Sequence, residues 1–141
     1  MCWKPRMSRK PQPRRVLIVE DEPSIRNILY VLLAGLGCEG DAVPDGPRAV
    51  AKIRREEFDA VLLDLRCANI KAEDVVPQIQ ELRPSLVGRV LVVTGEVADA
   101  ATLDLIERNC LQHLPLQRIR EDLLDHLRAL LRFPPSAKET S

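Results

Sequence analysis

The sequence predicts an α/β protein: one parallel five-stranded sheet covered by helices on both faces, a three-layer sandwich. Short runs of Val, Leu and Ile recur along the chain, and each is followed by apolar residues at helical spacing. Of 141 residues 45% are hydrophobic but only 3% aromatic, so the core must be built from Leu, Val, Ile and Ala, which suits helices packed on a parallel sheet. This length fits one domain with a proper core and leaves no room for a second.

VLIV (16–19) is the first buried strand. After Pro23-Ser24, the residues Ile25, Ile28, Leu29, Leu32 and Leu33 mark an amphipathic helix closed by Gly35 and Gly37. Residues 38–43 form a short second strand. Asp45-Gly46 marks a turn, and Ala49, Val50, Ile53 and Phe58 outline the second helix and its exit. AVLLDL (60–65) is the third strand. The third helix points Val75, Val76, Ile79 and Leu82 inward, with Pro77 accommodated in its first turn, where no backbone N–H is needed. VLVV (90–93) is the fourth strand, ending in Thr94 and Gly95. Leu103 and Ile106 define a fourth helix over 99–108, residues 111–114 are the weakest strand, and Ile119, Leu123, Leu124, Leu127, Leu130 and Leu131 make the fifth helix. Sequential βα units imply right-handed crossovers but leave strand order open.

Residues 1–15 carry Lys4, Arg6, Arg9, Lys10, Arg14 and Arg15 and no acid. Subtracting these six from 21 basic residues leaves 15 against 21 acidic, a balance of −6 for the body. With Pro5, Pro11 and Pro13, residues 1–14 are expected to be a flexible basic extension, 15–132 the domain, and 133–141 a flexible tail. So short an arm offers few phosphate contacts, and base-stacking aromatics are scarce, so direct nucleic-acid binding is not expected. Cys2, Cys38, Cys67 and Cys110 are too irregularly spaced for a CxxC zinc site. The expectation is a cytoplasmic protein with reduced thiols and no membrane span or signal peptide.

Three acids stand where strands stop: Glu20 and Asp21 after the first, Asp64 at the end of the third. In a parallel sheet these carboxyl ends share one edge, where open α/β sheets bind ligands. Two carboxylates ~4 Å apart at an effective dielectric near ~20 repel by roughly 4 kcal/mol, so such a cluster requires protonation or a cation. A cation is the expected answer.

VLIVEDE (16–22), DGPRAV (45–50) with FDAVLLDL (58–65), and VLVVTGE (90–96) resemble, in order, the motifs of the receiver domain of two-component response regulators. The resemblance covers residues 15–132 and implies the flavodoxin-like strand order 2-1-3-4-5. It implies that Asp64 is the phosphoacceptor. It also implies Mg²⁺ held by Asp21, Asp64, the backbone carbonyl of Arg66 and, often through water, Glu20. Thr94 is implied as the switch hydroxyl. The implied partners are a sensor histidine kinase or histidine phosphotransfer protein and an unknown downstream protein. The latter is met through the face of the fourth helix, fifth strand and fifth helix, also a candidate homodimer surface. Catalysis beyond self-phosphotransfer and auto-dephosphorylation is not implied.

The chain departs from the pattern at the end of the fifth strand. Receivers present a lysine before a proline there; aligning Pro115 with that proline puts Leu114 at the lysine position and His113 one residue earlier. A charge-assisted hydrogen bond contributes roughly 1.5–3 kcal/mol, and losing ~2 kcal/mol changes an active-to-inactive ratio about thirtyfold. His113 replaces the lysine only if the strand slips by one residue; otherwise it is an exposed strand-end histidine, and His126 is expected to be solvated. The aromatic switch position falls on Leu111 or Cys110. The usual loop Pro and Gly fall on Ala68 and Ala72, and Arg66 and Glu96 stand where side chains gate water. The expectation is a stand-alone receiver with an intact magnesium pocket and atypical switching. Alternatives are a phosphorylation-independent pseudo-receiver acting as an interaction module and an aspartate-nucleophile phosphatase. The latter is disfavoured because Glu20-Asp21-Glu22 lacks the Asp-x-Asp spacing.

Overall fold

The computed structural model describes residues 13–67, 69–95 and 99–131; most of the predicted basic extension, Ala68, Glu96 and the C-terminal tail lie outside the described residues. Five strands, β1 (Arg15–Val19), β2 (Glu39–Val43), β3 (Ala60–Asp64), β4 (Val90–Thr94) and β5 (Gln112–Pro115), form one sheet. All its pairings are parallel and its order is β2-β1-β3-β4-β5. The helices are α1 (Pro23–Gly35), α2 (Gly46–Arg55), α3 (Ala72–Leu82), α4 (Pro84–Val87), α5 (Ala100–Arg108) and α6 (Ile119–Leu131).

Alternation along the strands creates two cores. Val16, Ile18, Leu62, Leu91, Val93 and Leu114 face α1 and α6, meeting Leu29, Leu33, Leu123 and Leu127. Leu17, Val19, Val61, Leu63, Val90 and Val92 face the other way, onto Ile53 of α2, Val75 and Ile79 of α3, and Ile106 of α5. Strands buried on both faces explain why they appear in the sequence as unbroken apolar runs.

Helix ends follow from local chemistry. The side chains of Asp45 and Asp99 cap α2 and α5 by accepting from the backbone N–H groups of Arg48 (2.9 Å) and Thr102 (2.7 Å). At the end of α1, Cys38 N–H donates to Leu33 O (2.9 Å) and Gly37 N–H to Ala34 O (3.0 Å), a closure that needs Gly37 at φ 73°. The same pair of bonds ends α5, from Leu111 to Ile106 and from Cys110 to Glu107, but there Cys110 takes the left-handed position at φ 53°. Gly46 allows α2 to press on α3, because a Cβ there would lie 2.9 Å from Val75 Cγ2.

Three details correct the sequence reading. There are six helices rather than five: Pro84 begins the extra turn α4, with the fixed φ of proline at a helix start. Pro77 lies inside α3 and not in its first turn, because the helix already begins at Ala72. The side chain of Gln78 donates to Asp74 O (2.7 Å), supplying a donor beside the disrupted ladder. On α5, Leu103 points outward at 44% exposure and Leu105 is buried with Ile106.

Candidate functional site

The β1–β3 register sets Val19 beside Leu63, so the next residues, Glu20 and Asp64, are neighbours at the carboxyl edge of the sheet. β4 ends beside them with Thr94, opposite Pro115 of β5. Among the described residues the buried polar and charged side chains are Glu20, Asp64 and Thr94, and each was a predicted site residue. Buried polar groups carry a desolvation cost, so their gathering at one edge marks a site rather than a solvated rim.

Glu20 has no exposed surface. Its Oε2 accepts from the Glu22 backbone N–H (3.2 Å) and lies 3.2 Å from Cys67 Sγ, whereas its Oε1 is buried with no hydrogen-bond partner. Burial first, then the adjacent Asp64 carboxyl, pushes the Glu20 carboxyl up to about 7. Asp21 is exposed at the mouth and joins the cluster through Oδ1, 3.0 Å from Cys67 Sγ. Ligand atoms of Glu20, Asp64 and Cys67 all lie within 4.8 Å of one another. Burial and the Asp21 and Glu20 carboxylates raise the Cys67 thiol well above its usual range, so it stays protonated and donates. The sequence reading did not place Cys67 in the site. Cysteine spacing carries no sign of it, and only its position three residues beyond Asp64 could have drawn attention.

Asp64 is held by the residue two positions on. The Arg66 backbone N–H donates to Oδ1 (2.9 Å) and its guanidinium Nη2 to Oδ2 (2.8 Å). Nη2 is also 3.7 Å from Glu20 Oε1, close enough for attraction between charges but too long for a hydrogen bond. A cationic side chain therefore already leans over the acidic pair. Arg66 Nε is buried and has no hydrogen-bond partner.

Thr94 Oγ1 lies 2.7 Å from His113 Nε2. This corrects the picture of an exposed strand-end histidine. His113 is half-buried and meets the predicted switch hydroxyl without any slip, because β5 places it on the face shared with Thr94. Burial, and then the charge of His126, lowers its pKa below the ordinary value. Leu114, at the expected lysine position, is 1% exposed and packs in the α1/α6 core. His126 is likewise not free in solvent: its Nδ1 is 2.6 Å from Gln112 Oε1. Leu111 is buried in the other core and Cys110 is exposed.

The model of the response regulator receiver domain matches residues 16–128, across this edge and the sheet beneath it. The chain belongs to the receiver domain family. This receiver is 34% identical over 117 residues to the sensory transduction protein RegX3 of Mycolicibacterium smegmatis, covering 83% of this chain and 50% of that protein. The chain thus spans about half the length of that curated relative. Among solved structures it resembles a CheY-like receiver from Methanospirillum hungatei, with TM-score 0.76, 22% identity, and coverage of 86% of this chain and 95% of that one. It also resembles the response regulator TrrA of Thermotoga maritima in complex with Mg(2+)-BeF, with TM-score 0.71, 24% identity, and coverage of 84% and 99%. These likenesses establish the fold, including the 2-1-3-4-5 order that the motifs implied. Among the described residues no helix is long and apolar enough to cross a membrane.

Proposed function

We propose that this receiver accepts a phosphoryl group on Asp64 in the presence of Mg²⁺ and signals through the face of α5, β5 and α6, with switching altered by the missing lysine. The observation that carries this reading is the buried, unpartnered Oε1 of Glu20 within reach of Asp64. An orphaned anionic acceptor beside a second buried carboxylate fits a hard cation with oxygen ligands. Glu20, Asp21, Asp64 and the backbone carbonyl of Arg66 are the residues to hold it. When bound, the ion supplies the positive charge that lets an anionic pocket receive an anionic phosphoryl group.

The chain's own residues do the rest. Asp64 is fixed by the Arg66 backbone N–H and attacks phosphorus as a carboxylate nucleophile. The O–P bond of an acyl phosphate forms as the donor's N–P bond breaks, and the leaving imidazole nitrogen takes up a proton. Thr94 then donates its hydroxyl hydrogen to a phosphoryl oxygen, and its partner His113 carries that change to β5, where an aromatic ring does so in most receivers. A sensor histidine kinase or histidine phosphotransfer protein is the donor, and an unidentified protein or a second copy of the chain reads the face. The chemistry is confined to self-phosphorylation and loss of the group.

The test is transfer from a radiolabelled phosphohistidine donor. Magnesium-dependent label on the wild type and none on Asp64→Asn is the expected result; an unlabelled wild type refutes the reading. The burial of Leu114 at the lysine position favours one other reading, a pseudo-receiver that binds its partner without phosphorylation. Partner binding unchanged by Asp64→Asn, together with no affinity for Mg²⁺, would select it.

A further inference from the structure

We infer that Arg66 supplies, from the loop after β3, the phosphoryl-binding cation that the end of β5 lacks. The inference rests on Asp64 being the phosphoacceptor. At β5, Leu114 is turned into the α1/α6 core and His113 is engaged with Thr94, so neither offers a positive charge to the pocket. Arg66 does: its guanidinium touches Asp64 Oδ2 at 2.8 Å and stands 3.7 Å from Glu20 Oε1. Its stem passes the end of β4, where a Cβ on Gly95 would lie 3.7 Å from Arg66 Cγ, and its charged end reaches over Asp64 toward Glu20.

The hydrogen-bond inventory around this pocket is incomplete in a specific way. Glu20 Oε1 is a buried acceptor without a donor, and Arg66 Nε is a buried donor without an acceptor. A cation completes the first and an anion the second. When Asp64 Oδ2 becomes bonded to phosphorus it loses its charge, and the negative charge moves outward onto the phosphoryl oxygens. The guanidinium then releases Oδ2 and presents Nη2 and Nε as a planar fork to two of those oxygens, the geometry in which arginine binds phosphate best. The Arg66 backbone N–H stays on Oδ1.

The experiment measures beryllofluoride affinity by ¹⁹F NMR and Mg²⁺ affinity by calorimetry on the full chain, for wild type, Arg66→Ala and Arg66→Lys. Circular dichroism confirms folding, and Arg66→Gln is the fallback if the alanine variant is unfolded. The expected result is beryllofluoride binding at saturating Mg²⁺ weakened roughly ten- to a hundredfold in Arg66→Ala, the range of a lost charge-assisted contact. Arg66→Lys should fall between, and Mg²⁺ affinity should not be weakened. Beryllofluoride affinity within about twofold of wild type in Arg66→Ala overturns the inference while leaving Asp64 as acceptor. So does the pattern of a simple plug: tighter Mg²⁺ and unchanged beryllofluoride. A wild type that binds neither probe overturns the phosphoacceptor reading and the inference with it.

Discussion

Removing the charge of Glu20 while keeping its shape should stabilise the metal-free protein at neutral and alkaline pH. Glu20 has no exposed surface, and burial beside Asp64 raises its carboxyl from 4.5 to about 7. Each tenfold change in proton affinity corresponds to about 1.4 kcal/mol, so the full difference has an upper bound of roughly 3–4 kcal/mol. The sign follows from proton binding. Between pH 4.5 and about 7 the folded chain holds a proton that the unfolded chain has lost, so stability falls as pH rises through this window and levels off above it. His113 acts in the opposite sense: its lowered pKa makes stability fall as pH drops below the ordinary histidine value of 6.5. Comparing Glu20→Gln with wild type cancels the His113 contribution. Urea denaturation with EDTA should show Glu20→Gln more stable by about 1–3 kcal/mol at pH 8 and equal to wild type near pH 4. Saturating Mg²⁺ should reverse the order at pH 8, since a ligand at a hundredfold excess over its Kd stabilises by about 2.7 kcal/mol and the variant lacks a ligand oxygen. An unchanged pH slope, or a variant less stable than wild type at pH 8 without metal, would refute the account of Glu20 as a desolvated carboxylate awaiting a cation.

Other outcomes follow from the same structure. Cys110→Gly should raise stability by up to about 1 kcal/mol in urea denaturation, because a side chain at φ 53° carries a left-handed cost that glycine avoids. The His113 ring should titrate below 6.5 in an NMR pH series, and Thr94→Val, which leaves its Nε2 without the hydroxyl, should cost roughly 1 kcal/mol. Alkylation of the native protein followed by peptide mapping should modify exposed Cys110 and spare Cys67, whose buried thiol is held protonated; rapid labelling of Cys67 would contradict its place between Glu20 and Asp21.

The strand runs and the acidic ends of β1 and β3 were legible because each is a local pattern with a direct physical reading, whereas Asp45 read only as part of a turn and the cap at Asp99 went unread. A run buried on both faces has no polar alternation, and a carboxylate at its end must lie at the sheet's rim. Strand order came from motif resemblance alone, since βα alternation permits several orders. What remained hidden depends on side-chain direction across loops. The motifs offered Arg66 as a backbone ligand and a gate for water, but not its guanidinium turning back onto Asp64, a contact made across the loop after β3. Cys67 had no spacing signal, and its role comes from being enclosed between two acids. The sequence offers His113 as a substitute for the lysine or as an exposed strand-end histidine, and it is neither. The register that sets Val92 beside it turns it to the Thr94 side, so it reaches the Thr94 hydroxyl rather than the acids. Pro77 misled because the start of α3 is fixed by loop geometry and not by an unmistakable cap: Lys71 makes no side-chain capping bond.

On the proposed function, Glu20, Asp21 and Asp64 converge on one divalent cation beside the phosphoryl position. Anomalous diffraction from crystals grown with Mn²⁺ and beryllofluoride would locate that cation. The predicted result is a single metal peak at ligand distance from Asp21 and Asp64, roughly 2 Å as for a hard cation with oxygen ligands, with the fluoride adduct on Asp64. A peak elsewhere, or a pocket that stays without metal while Arg66 keeps its bond to Asp64, would contradict it.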